Sequence, residues 1–135
     1  MPRRRRLRKI VAPPGFKGYK PYGITHVSKE PVELLYEEYE AIKLADYDLL
    51  NHEEAANLMG ISRPTFARIY ESARRKIAKA LVETREIKTV YGNAIMDKSW
   101  FVCNDCNSRF TIPKTMDKKQ CALCASSNIE LINKQ

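Results

Sequence analysis

A mainly α-helical fold with a small β appendage is what the sequence predicts, and three observations predict it. Residues 52–81, "HEEAANLMGISRPTFARIYESARRKIAKAL", read as two helices separated by a sharp turn. The basic residues are segregated along the chain. All four cysteines fall within residues 103–124, in two C-x2-C pairs.

The composition, 44% hydrophobic and 30% charged over 135 residues, suits one globular domain with a small addition. No run approaches the roughly 18 apolar residues that a membrane span needs. The arginine-rich start "MPRRRRLRKIVAPPG" has no apolar stretch behind it, unlike a secretory signal. A cytoplasmic protein without membrane contact is the expectation. Four segments are expected: a basic arm over 1–23, a helical domain over 24–91, a linker over 92–98 and a cysteine-bearing unit over 99–135.

Charge follows those segments. Residues 1–20 carry eight bases and no acid, whereas residues 21–60 carry two bases and nine acids. Residues 61–90 return to eight bases against three acids, and residues 91–135 hold six against four. Solubility does not require such segregation; binding a polyanion does.

In the arm, Pro13, Pro14, Gly15, Gly18, Pro21 and Gly23 oppose regular structure, while Phe16, Tyr19 and Tyr22 interleave with Lys17 and Lys20. Arg3, Arg4, Arg5 and Arg6 are candidates for a nucleic-acid backbone or a minor groove. A first helix is expected over about residues 36–47. Leu35, Tyr39, Ile42 and Leu49 fall near helical spacing, and Glu37, Glu38, Glu40 and Lys43 are expected on its solvated face. The second helix covers about 52–59. Asn51 is its cap, Glu54 completes a capping box, and Ala55, Ala56, Leu58 and Met59 form its buried side. Gly60 closes it in the left-handed conformation.

Ser62 caps the third helix and Pro64 stands in its first turn, where a missing N–H costs little. This helix is expected to reach about Glu83. Phe66, Ile69, Tyr70, Ala73, Ile77 and Leu81 make one apolar stripe, with Arg68 and Arg75 nearly opposite and Ser72 and Lys79 beside them. Residues 86–91, "EIKTVY", are expected as a short strand.

A helix-turn-helix needs small residues where its helices cross and a turn residue that tolerates positive φ. With His52 as the first residue of the unit, Ala56, Gly60, Ile61, Phe66 and Ile69 occupy the small, glycine and apolar positions. The second helix of such a unit lies in the major groove of double-stranded DNA and reads bases near its N-terminus. By position, Arg63, Thr65 and Arg68 are the base readers, and Pro64 can offer apolar contact. Ser62, Ser72, Arg75, Lys76 and Lys79 suit phosphates.

The unit resembles the helix-turn-helix of sigma-factor region 4. Most of residues 1–90 resembles the DUF134 (UPF0251) family. The basic start, "YKPYGI", "EEYEAIKLADYDLLNHEEAANLMGISRPTFARIYESARRKIAKALVE" and "IKTVYG" carry that likeness. It implies a sigma-like DNA-binding domain; with the basic helix and arm, the expectation is a transcriptional regulator. "ELLYEEYE" departs from it, because no threonine stands ready to cap the first helix.

Cys103, Cys106, Cys121 and Cys124 are spaced C-x2-C-x14-C-x2-C. Two such pairs can present four thiolates to one tetrahedral ion, and short alternating stretches surround them. The segment looks like a zinc ribbon holding one structural Zn²⁺, with iron as the alternative. About 35 residues bury too little to fold alone, whereas a four-ligand zinc site supplies on the order of 10–16 kcal/mol. The usual knuckle glycines are replaced by Asn107 and Ala125. Trp100 and Phe101 are expected in core packing.

No catalytic constellation is visible. His26 and His52 stand alone, no Gly-rich phosphate loop occurs, and a four-cysteine site leaves no open position for water. The expectation is a DNA-binding protein and not an enzyme, with RNA polymerase or a second copy as further partners. The competing readings are an RNA- or ribosome-associated zinc protein and a protein-binding adaptor.

Overall fold

The computed structural model describes residues 7–24 and 29–133; Arg3, Arg4, Arg5, Arg6 and His26 lie outside them. Helices form where the sequence places them: α1 (Tyr36–Ile42), running on into a π-helical turn over Lys43–Tyr47, α2 (His52–Met59) and α3 (Arg63–Glu83). The strands are β1 (Arg8–Lys9), β2 (Gly18–Tyr19), β3 (Val32–Leu35), β4 (Ile87–Val90), β5 (Ala94–Ile95), β6 (Trp100–Cys103), β7 (Arg109–Thr111) and β8 (Ile129–Leu131). They build three sheets, ordered β1-β5, β2-β4-β3 and β7-β6-β8. The fold is therefore mixed α/β, and the mainly α expectation is wrong. Strands of two to four residues carry little periodicity, and the partners of β4 lie far from it in sequence.

The helical unit is the crossover of a parallel pair. β3 leads into α1, α3 returns to β4, and Val32 to Leu35 pair in register with Ile87 to Val90. Parallel strands need such a connection, usually helical. The helices bury Ala41, Leu44, Ala55, Ala56, Met59, Ile61 and Phe66 in one cluster. Ala56, Ile61 and Phe66 fill the motif positions assigned to them, and Ile69 packs against the cluster.

The caps explain the boundaries. The Glu54 N–H donates to Asn51 Oδ1 at 2.8 Å, and the Asn51 N–H donates back to Glu54 Oε1 at 3.2 Å. At α1 the missing threonine is replaced by half a box: Leu35 offers no side-chain acceptor, but its N–H donates to Glu38 Oε1 at 2.8 Å. α1 ends when the Asp48 N–H reaches the Lys43 carbonyl at 2.8 Å and Leu49 turns left-handed at φ 60°. That turn leaves Leu49 exposed. Leu58 and Leu81 are exposed as well, so three leucines expected on packed faces meet solvent. On α3 the buried line runs through Phe66, Ala73 and Ala80, and Leu81 lies beside it.

The expected solvated face of α1 is also wrong. Glu37, Glu38 and Glu40 are all buried, Glu40 to 1% of its surface. Each binds a backbone N–H of another segment: Asn93 to Glu37 Oε2 at 3.0 Å, Leu35 to Glu38, and Val11 to Glu40 Oε2 at 3.1 Å. A buried backbone donor left unpaired costs about as much as a lost hydrogen bond, which is the need these acids meet. Gly92 leaves room for the Glu37 carboxylate, since a Cβ there would sit 2.5 Å from Oε1 and the side chain would have to shift.

Residues 92–98, expected as a linker, contain β5, which pairs in parallel with β1 of the arm. Ala94 and Met96 are buried with Ile10 and Tyr36, and Tyr91, Trp100 and Ile132 pack against them. Trp100 therefore joins the cysteine-bearing sheet to the helical unit, while Phe101 stacks on Phe110 at 5.9 Å within that sheet.

Candidate metal centre and nucleic-acid interface

β6 and the turns after it bring Cys103, Cys106, Cys121 and Cys124 together, with all four sulfurs within 4.8 Å of one another. Cys103 Sγ lies 3.6 Å from Cys124 Sγ, and Cys106 Sγ lies 3.5 Å from Cys121 Sγ. A tetrahedral ion at about 2.3 Å from each sulfur would hold them about 3.8 Å apart, so the residues fit a metal.

The two knuckles repeat each other. The Cys103 N–H donates to the Ser108 carbonyl at 2.9 Å and the Asn107 N–H to the Cys103 carbonyl at 2.8 Å. In the second knuckle Cys121 donates to Ser126 at 2.8 Å and Ala125 to Cys121 at 3.0 Å. Asn107 and Ala125 both adopt positive φ, at 62° and 60°, in place of the glycines that this turn favours. Backbone N–H groups then face the sulfurs: Cys106 to Cys103 Sγ at 3.5 Å, Leu123 to Cys121 Sγ at 3.4 Å and Cys124 to Cys121 Sγ at 3.5 Å.

Sequence reasoning missed Ser108. Its hydroxyl stands 3.1 Å from Cys106 Sγ and 3.2 Å from Cys121 Sγ. With the N–H groups of Cys124 and Leu123, it pulls the Cys121 thiol down to about 6. Cys124 has the Ser126 N–H as a stabilising donor, yet the Cys103 sulfur and burial push it up to about 12. Four sulfurs this close cannot all ionise by themselves, and a divalent cation is what allows it. The signal available in sequence was the serine two residues after Cys106 and after Cys124. Asp105 ties the knuckles together by accepting from the Ser126 hydroxyl and from Asn128 Nδ2.

The second site is α3 and the turn before it. Gly60 adopts φ 68°, ψ 33°, and the Ile61 N–H returns to the Ala56 carbonyl at 3.0 Å. Ser62 Oγ accepts from the Thr65 N–H at 3.3 Å and donates to Thr65 Oγ1 at 2.9 Å, so the Thr65 hydroxyl is held at the cap. Arg63, Pro64, Arg68 and Lys79 are exposed on α3. Arg75 is exposed and pairs with Glu71 one turn back at 2.8 Å.

Ser72 and Lys76 turn the other way. Ser72 Oγ donates to Glu38 Oε2 at 2.6 Å and Lys76 Nζ pairs with Glu38 Oε1 at 2.7 Å. Lys9 was missed: a Cβ on Gly60 would lie 3.6 Å from its Cδ, so its stem runs along the turn. No local signal marks a contact between the arm and the turn.

The DUF134 family model, described as a protein of unknown function, matches residues 1–97. The chain belongs to this family. A UPF0251 protein of Chloroherpeton thalassium is 40% identical over 130 residues, covering 96% of this chain and 86% of its own length. One of Methanothermobacter thermautotrophicus is 40% identical over 133 residues, covering 98% and 69%. One of Clostridium acetobutylicum is 40% identical over 129 residues, covering 96% and 90%. These alignments extend beyond the family model into the cysteine-bearing sheet. Among the described residues no helix is long and apolar enough to cross a membrane.

Proposed function

We propose that this DUF134 chain is a duplex-DNA-binding transcriptional regulator that lays α3 in the major groove, with one zinc ion held by the four cysteines. The observation that carries the reading is the left-handed turn at Gly60 followed by a long helix whose outer face bears Arg63, Arg68, Arg75 and Lys79.

Arg63 and Arg68 stand in the first two turns, where a docked helix meets base edges, and an arginine can bind guanine through two hydrogen bonds. Arg75 and Lys79 lie further along, suited to phosphates. The helix N-terminus with its Ser62 cap favours an anion, and Lys9 adds a charge beside it. Ser72 and Lys76, engaged by Glu38, are not part of this surface. Bound zinc fixes the two knuckles relative to each other, and the sheet so formed presents Trp100 to the helical unit. We read the chain as a binding protein and not an enzyme.

The test is a fluorescence-anisotropy titration of the zinc-loaded chain against random duplex DNA at several salt concentrations. Each phosphate neutralised contributes about −0.9 to the slope of log K against log salt, so Arg75, Lys79 and Lys9 should give roughly −3. Affinity without salt dependence, or no duplex binding, would sink the proposal.

A further inference from the structure

α3 leaves unused a second basic surface at the opposite end of the helical unit. Lys17, Tyr19, Lys20 and Lys88 line one open hollow of about 440 Å³ over the β2–β4 pair. Tyr22 follows two residues beyond Lys20 and is fully exposed, and Tyr19 is 63% exposed. None of the three lysines forms an ion pair within 4 Å among the described residues. Glu86 is the one acid in the lining.

The strip is rigid. The Thr89 N–H donates to the Lys17 carbonyl at 3.1 Å, and its hydroxyl donates to the carbonyls of Phe16 and Lys17, both at 3.1 Å. Phe16 meets the Tyr19 ring edge-on at 4.7 Å, and Tyr39 of α1 backs Phe16 at 5.9 Å. Gly18 allows the close approach, since a Cβ there would lie 2.3 Å from the Ile87 carbonyl oxygen. The Tyr19 ring is thus held from behind with its outer side in water.

We propose that this strip binds single-stranded nucleic acid, its lysines following the phosphates and Tyr19 and Tyr22 stacking on unpaired bases. Aromatic rings interleaved with cations fit unpaired bases, whose faces are free, whereas the base faces of a duplex are covered. An added peptide strand fits poorly: β2 offers only two residues, and Pro21 has no N–H to continue the ladder. Lysines are point charges that follow phosphates without reading bases, so binding should tolerate any sequence.

The inference does not depend on how α3 meets duplex DNA, and one experiment separates the two. The full zinc-loaded chain is titrated by anisotropy with an oligothymidylate of about 20 nucleotides and with a duplex of the same length. Tyr22→Ala removes a ring that supports no packing, and should weaken the single strand about fivefold or more while sparing the duplex. Replacing Lys17, Lys20 and Lys88 by Gln should flatten the single-strand salt slope by roughly 0.7 for each lysine. Lys79→Gln should do the reverse, weakening the duplex alone and flattening its salt slope by about 0.9. Oligothymidylate that does not bind, or binds Tyr22→Ala as it binds the parent, overturns the inference whatever the duplex does. If Lys79→Gln leaves duplex affinity unchanged while Tyr22→Ala weakens oligothymidylate, the groove reading fails and the single-strand site stands.

Discussion

Glu38 sets Lys76, which it pairs, apart from the solvent-facing basic residues of α3, and replacing it by alanine tests that division. Its carboxylate is buried and accepts from the Leu35 N–H, the Ser72 hydroxyl and the Lys76 ammonium. Three hydrogen bonds to a carboxylate, at about 1.5–3 kcal/mol each, make a gross loss of at least roughly 4–5 kcal/mol. Removing a buried charge recovers part of this, and Lys76, with 32% of its side chain exposed, can turn to water. A net cost of about 3 kcal/mol follows, or roughly 10 °C in melting temperature for a chain of this size. Urea melts followed by far-UV circular dichroism would measure it. Pairing Glu38→Ala with Lys76→Met should cost at least about 1 kcal/mol less than the two separate losses added, because both remove one interaction. The functional consequence is sharper. Lys76→Met should leave the salt slope of duplex binding unchanged, whereas Lys79→Met should flatten it by about 0.9. A Glu38→Ala cost below about 1 kcal/mol, or equal effects of Lys76→Met and Lys79→Met on the slope, would refute the assignment.

Three further outcomes are expected. Stripping metal with a chelator should red-shift the emission of Trp100, the single tryptophan, while most helical signal stays, because no cysteine-sheet residue belongs to the buried helical cluster; unchanged emission would contradict a metal-dependent sheet. Ala125→Gly should relieve a left-handed alanine and tighten zinc about 2- to 5-fold in chelator competition, the relief of about 1–2 kcal/mol being partly offset by unfolded-state entropy; weaker binding would argue against that strain. Burial holds the Glu40 carboxyl above the usual carboxylate range, against the opposing Val11 N–H. The folded chain then keeps that proton over a range where the unfolded chain has lost it. Its stability contribution is full below the ordinary carboxylate pKa and falls as pH rises through the raised value. Glu40→Gln should remove that fall, and parallel stability–pH curves for the two proteins would rule out Glu40 as its source.

The legible parts of this fold were those fixed by neighbours in sequence. Asn51 with Glu54, Gly60 and Ser62 are caps whose partners lie within four residues, and both C-x2-C turns are local too. The glutamates of α1 misled because charge usually marks a wet face, whereas here it meets N–H groups at Val11 and Asn93, tens of residues away. For the same reason Ser72 and Lys76 could not be told from Lys79 by helical projection: the projection shows a face, not what lies opposite it. The strand Val32–Leu35 gave no warning because its partner is separated from it by the whole helical unit. At Leu81 the projection drifted: the buried line of α3 runs through Phe66, Ala73 and Ala80, and Leu81 falls beside it.

The parallel β3–β4 pair has a consequence for how the molecule is made. The two helices α2 and α3 touch through contacts near in sequence and can assemble early, since short loops close fast. The clamp that orients them cannot: Val32 waits for Ile87, and Arg8 waits for Ala94. During synthesis the first residues must remain unpaired until more than half the chain has emerged, and the cysteine-bearing sheet completes last, when β8 joins β6. A nascent chain therefore carries its longest helix well before it carries the sheets that hold that helix in place.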